Sequence, residues 1–264
     1  MEKIYLDNIN LNRLRKVTGA DHSESILFHD KTTIYKIYII LDENKRKRKQ
    51  QKIELLGDGE PLPITIMPRT ELFRSPQIEM FEGIGMEYIK SKTLYKKLRK
   101  TKDIALVLRI IDIVSRSVMK IHQDPRNIAI GDLHVQNIII DKYYNPYIVD
   151  IDSCKIDGIK NDTAPIGLKN YLLNRGLYTS LDDLEINPNT DRLCLLIMVL
   201  GMLFDKSLDR IPLYEYDKKS EKIETLKHMR ELIVELQKSS SIPELPYFHE
   251  LIQSSDMYTK RLKR

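Results

Sequence analysis

The feature that most constrains this chain is the stretch Ile130 to Lys155, I-G-D-L-H-V-Q-N-I-I-I-D-K-Y-Y-N-P-Y-I-V-D-I-D-S-C-K. Asp132 is followed five positions on by Asn137 and, thirteen beyond that, by Asp150, with apolar runs between them at Ile138 to Ile140 and Tyr147 to Val149. Short β-rich runs flanking a turn at Asn145 and Pro146 predict two paired strands. Such a hairpin gathers the three polar side chains at one end. Either aspartate alone reads as a turn or cap residue; their joint spacing favours a site.

Phosphoryl transfer needs these groups. One carboxylate orients or deprotonates the attacking hydroxyl, while a second carboxylate and an amide oxygen hold a divalent cation against the phosphates. Asp132, Asp150 and Asn137 supply that set. Here the chain resembles the protein kinase superfamily: G-D-L-H-V-Q-N is similar to the catalytic loop H-R-D-x-x-x-x-N, and D-I-D stands where D-F-G would.

The resemblance implies an α+β fold with a bilobal, protein-kinase-like arrangement. Residues 1–89 would form a small β-rich lobe with one helix, and residues 90–264 a larger helical lobe. It implies ATP and Mg2+ (or Mn2+) as cofactors. Asp132 would be the catalytic base, with Asn137 and Asp150 on the metal.

Further resemblances lie upstream. T-I-Y-K-I-Y is similar to the V-A-I-K strand, which makes Lys36 the partner of the α- and β-phosphates; without the resemblance, a lone lysine in an apolar strand is a snorkelling or edge residue. The turn Val17 to His22 would be the phosphate-covering loop, but it offers only Gly19 where the family has three glycines. Side chains there crowd a backbone that glycine lets approach phosphate, which bears on nucleotide affinity. Residues 42 to 57 predict a helix capped by Asp42 and stopped at Gly57, with the basic run Lys45 to Lys49 on a solvated face. Glu54, eighteen positions after Lys36, resembles the helix glutamate that pairs with the strand lysine. M-E-Y-I resembles the hinge between lobes, with Met86 guarding the pocket and the backbone of Glu87 and Ile89 facing adenine.

Beyond residue 90 helical spacing takes over, in Lys92 to Lys100 and Asp103 to His122. The segment after Asp150 reads as a loop, similar to an activation segment but without A-P-E, and N-T-D-R-L-C-L-L resembles the core helix whose aspartate, here Asp191, braces the catalytic loop. A charged helix, Ser220 to Lys238, is expected near the end.

Two departures from the family pattern bear on mechanism. Gly131 replaces the arginine of H-R-D, which argues against control by phosphorylation at Thr163 or Thr179, and His134 replaces a lysine. G-D-L-H is also similar to small-molecule kinases of the aminoglycoside and choline type. The favoured reading is a Ser/Thr protein kinase acting on a protein hydroxyl. The alternatives are a small-molecule kinase with a hydroxyl acceptor, or a pseudokinase binding module.

Composition narrows the rest. The chain's 264 residues, 42% hydrophobic, suffice for a large core. With 43 basic against 38 acidic residues, its charge marks no clear nucleic-acid partner. Two cysteines, Cys154 and Cys194, form no disulfide or zinc pattern, so a reducing cytoplasm is expected. The longest apolar run, the 12 residues from Leu193 to Phe204, is short of the about 20 that span a bilayer.

Overall fold

The computed structural model describes residues 1–17, 24–39, 42–98 and 104–160, and nine residues between 186 and 198. Gly19, the segment 161–185 and everything beyond 198 lie outside the described residues, and with them Thr163, Thr179 and the expected helix at 220–238.

The described part is a mixed α/β structure built on a six-stranded sheet. Strands β1 (Glu2–Tyr5), β2 (Arg15–Lys16), β3 (Ser25–His29), β4 (Thr33–Tyr38), β5 (Pro68–Phe73) and β6 (Phe81–Glu87) lie in the order β1-β5-β6-β4-β3-β2. β1 runs parallel to β5, and the other pairs are antiparallel. β4 is an interior strand, so Lys36 faces Ile84 of β6 on one side and Leu27 of β3 on the other. Gly83 permits the close approach of β6 to β4. A Cβ there would stand 2.1 Å from the Lys36 carbonyl oxygen.

Helix α1 (Glu43–Asp58) starts as its sequence predicts, with the Asp42 carboxylate accepting from the Lys45 N–H at 2.9 Å. It does not stop at Gly57. It continues one residue further, to Asp58, and Arg126 supplies donors to the carbonyls at its end: Nη1 to Leu55 and Leu56 (3.3 and 3.1 Å) and Nη2 to Glu60 (2.8 Å). Asp124 holds that guanidinium at 2.7 and 2.8 Å.

A second sheet has three strands: β7 (Lys92–Thr93), β8 (Ile138–Ile140) and β9 (Pro146–Ile148), in the order β7-β8-β9. The expected hairpin is thus present, but its connection spans residues 141–145. Asp141 organises it, its Oδ1 accepting from the N–H groups of Tyr143 (2.8 Å) and Asn145 (2.9 Å). Along the chain, the short helix α2 (Leu94–Leu98) and the long helix α3 (Ile104–His122) lie between β7 and β8.

The segment Ile64–Met67 lies outside the six-stranded sheet. Ile64 adopts φ +48, and the segment bonds β9 instead: the Ile66 N–H donates to the Ile148 carbonyl (2.9 Å) and the Ile148 N–H to that of Ile64 (2.7 Å). A continuous apolar core follows, with Ile53 and Leu56 of α1, Ile84 of β6, Ile111 and Val118 of α3, and Ile138 and Ile148 of the hairpin all at 1% exposure or less. Each such side chain contributes about 1.5–3 kcal/mol by leaving water. No helix among the described residues is long and apolar enough to cross a membrane.

Candidate functional site

Two backbone ties hold the stretch 129–155 together. Ala129 and Lys155 exchange N–H to carbonyl hydrogen bonds at 3.0 and 2.9 Å, and the Val149 N–H donates to the Asn137 carbonyl at 2.9 Å. The loop 130–137 is therefore closed against the turn 149–155. Asp132 and Asp150 lie between the two ties, and Asn137 forms one end of the second.

Within that frame, Asn137 donates through Nδ2 to Asp132, to its carbonyl at 2.9 Å and its carboxylate Oδ2 at 3.3 Å. His134 approaches the same carboxylate oxygen, with Nε2 at 3.5 Å. The Gln136 N–H donates to His134 Nδ1 at 3.2 Å, which leaves the neutral ring its proton on Nε2, toward Asp132. Asp150 is half-buried and sits in the left-handed region at φ +69, opening the 3-10 turn Ile151–Ser153. A non-glycine residue held there costs backbone energy, which a site tolerates when the surroundings impose the geometry.

Lys36 reaches this turn from the sheet. Its ammonium is ion-paired with Asp150 and with Asp152, the latter at 2.8 Å through both carboxylate oxygens. Burial pulls the lysine toward neutrality, but the two aspartates outweigh it and hold its pKa above the ordinary value.

Glu54 is not Lys36's partner. It lies on the exposed side of α1 and accepts from Gln50 Nε2 at 3.0 Å. The helix phase decides this: Ile53 and Leu56 point into the core, and Lys49 and Lys52, each four residues earlier, share their buried face. Glu54 stands one residue past that face. The residue missed in the sequence is Asp152, buried at 1% exposure, which accepts from Lys36, from the Tyr38 hydroxyl at 2.7 Å and from Lys49 Nζ at 3.3 Å.

At the end of β6, Met86 is buried and pairs with Ile34 and Pro68. The Glu87 carboxylate is ion-paired with Arg69, outside the sheet interior. The Ile89 carbonyl accepts from Ser91 Oγ at 3.0 Å, and the Tyr88 N–H donates to the Thr32 carbonyl at 2.8 Å.

Asp191 braces the loop from behind. Fully buried, it accepts from the N–H groups of Ile130 (Oδ2, 2.6 Å) and Gly131 (Oδ1, 2.7 Å), and its Oδ2 lies 2.9 Å from His122 Nε2. Gly131 meets it at φ +81, a conformation that glycine adopts without strain. The described residues between 188 and 198 are helical, and a reciprocal cap fixes where they begin: the Asn187 N–H donates to Thr190 Oγ1 (3.1 Å) and the Thr190 N–H to Asn187 Oδ1 (3.3 Å).

Neither cysteine forms a disulfide, and both are buried. Burial pushes the Cys194 thiol well above its ordinary pKa, which leaves it protonated and inert. Comparison of the sequence with protein-family models gives no match, and comparison with curated proteins gives none.

Proposed function

We propose that the chain is an ATP-dependent phosphotransferase with a bilobal, protein-kinase-like arrangement, and that it moves the γ-phosphate to a Ser/Thr hydroxyl of a protein. One observation carries this reading. A buried lysine from the interior of a sheet meets Asp150, while Asn137, tied by its backbone to the neighbouring Val149, binds Asp132.

The donor chemistry fits the expected cofactors. Asp150 and the amide oxygen of Asn137 are hard oxygen ligands, suited to Mg2+ or Mn2+. Among the described residues no cluster of three or more His, Cys, Asp and Glu is set to hold a metal. Mg2+ in nucleotide sites makes no such demand, because phosphates and water complete its shell around one or two protein ligands. When bound, the cation neutralises charge on the phosphates being split.

The chain's own residues divide the remaining work. Lys36 places a fixed positive charge where the phosphates are held, in surroundings that strengthen it. Asp132 accepts the proton of the attacking hydroxyl, and the hydrogen bond from Asn137, with His134 Nε2 3.5 Å away, fixes the direction of its carboxylate. Met86, Glu87 and Ile89 would line the adenine side.

A second reading is a small-molecule kinase of the same fold. It is favoured by His134, which stands against Asp132 where a protein kinase carries lysine. Without transfer, the same geometry would serve a nucleotide-binding pseudokinase. Calorimetric titration with ATP, with and without Mg2+, tests the site itself. Binding that requires Mg2+ and is weakened at least tenfold, but still measurable, in Lys36→Met and Asp150→Asn is expected, and a wild type that binds no nucleotide would refute the proposal.

A further inference from the structure

We infer that Asp152 is the residue that positions Lys36 for the nucleotide phosphates, and that Lys49 of α1 secures Asp152 from its other side. This rests on the phosphotransferase reading. It replaces the expected strand lysine–helix glutamate pair with one of inverted origin, in which the turn supplies the acid and the helix a second cation.

The geometry separates the two aspartates of D-I-D. Asp150 keeps 38% of its side chain exposed, whereas Asp152 has 1%. Asp152 is enclosed by donors: Lys36 on both oxygens at 2.8 Å, Tyr38 Oη at 2.7 Å and Lys49 Nζ at 3.3 Å, both on Oδ2. That leaves it no open side for a metal. Asp150, half-exposed and touching one edge of the lysine, keeps one.

Charge explains why two lysines tolerate burial here. Lys36 is paired with Asp150 and Asp152, and Lys49 with Asp152, and the Tyr38 ring lies 5.6 and 5.0 Å from the two ammonium nitrogens. Lys49 also lies 3.5 Å from Ser153 Oγ. An ammonium has three N–H donors. With Asp152 engaging Lys36 through both oxygens, a phosphate oxygen that takes the place of Asp150 leaves this hold intact. Glu54, bonded to Gln50 on the exposed face, takes no part.

The test measures Mg2+-ATP affinity and transfer rate on full-length wild type, Asp152→Asn, Tyr38→Phe, Glu54→Gln, Lys36→Met and the double variant Lys36→Met/Asp152→Asn. We expect Asp152→Asn to weaken ATP binding at least tenfold and Glu54→Gln to change it less than twofold. In the Lys36→Met background, Asp152→Asn should add no further loss, because its effect runs through the lysine. A merely structural role would instead add its loss in both backgrounds. Tyr38→Phe removes one hydroxyl from Asp152 and keeps the ring, so it reads the same network, with about a threefold loss, even where Asp152→Asn fails to fold. Wild type that binds ATP, with Glu54→Gln impaired and Tyr38→Phe or Asp152→Asn unchanged, overturns this inference alone. Wild type that binds no Mg2+-ATP defeats the phosphotransferase reading, and this inference with it.

Discussion

Replacing Asp191 by alanine removes a single carboxylate that serves three buried donors. The Ile130 and Gly131 N–H groups lose acceptors at 2.6 and 2.7 Å, and His122 Nε2 loses one at 2.9 Å. Each hydrogen bond to a charged acceptor contributes roughly 1.5–3 kcal/mol, and a buried N–H left unpaired costs a similar amount. Counting only the two backbone donors, and allowing for water entering the space vacated, the expected loss is about 4 kcal/mol. At roughly 2–4 °C per kcal/mol for a chain of this size, the melting temperature falls by about 10 °C. Asp191→Asn is expected to lose about half as much, because the amide keeps one oxygen and turns an NH2 toward the remaining donors. Urea denaturation of the three proteins measures both values. A loss in Asp191→Ala below about 1 kcal/mol would refute the reasoning, since two orphaned buried donors cannot cost so little.

Two other perturbations follow from the same structure. Arg126→Ala releases the carbonyls of Leu55, Leu56 and Glu60; hydrogen exchange at residues 55–60 should quicken about tenfold or more while the exchange of β6 stays unchanged, and equal effects on both would contradict a local clamp. Burial, with Glu54 nearby, holds the Glu71 carboxyl above its ordinary pKa, and its Oε1 has no hydrogen-bond partner among the described residues. A carboxyl whose folded pKa is raised weakens the fold as pH climbs from the unfolded value, about 4.3, through the folded one. Glu71→Gln should therefore gain stability over wild type between pH 4 and pH 7, and urea midpoints that keep a constant gap across that range would contradict it.

The parts of the site that were legible in the sequence are those set by local pattern. The β-rich runs around Pro146 predict the hairpin, the Asp42 side chain caps α1 where a helix start was expected, and Asp191 lies behind the loop as the resemblance implies. Spacing failed where helix phase decides. Counting eighteen positions from Lys36 selects Glu54, whereas Ile53 and Leu56 already mark the buried face and put Glu54 beside it. The role of Asp152 depends on contacts more than a hundred residues apart in sequence, with Lys36 and Lys49, and no local pattern carries that information. Arg126 is a similar case: a guanidinium from the loop after α3 terminates a helix some seventy residues earlier, so Gly57 is not needed as the stop.

The measurement closest to the central claim is transfer of labelled γ-phosphate from Mg2+-ATP by the wild type and by Asp132→Asn, scored on protein and on small-molecule hydroxyl acceptors. The account predicts label fixed on protein by the wild type and a loss of at least about a hundredfold in the variant, the scale of removing a general base. Label found only on a small molecule would move the assignment to the second reading. No transfer by the wild type to either acceptor, or transfer that survives in Asp132→Asn, would contradict the claim that this loop is a phosphotransfer site.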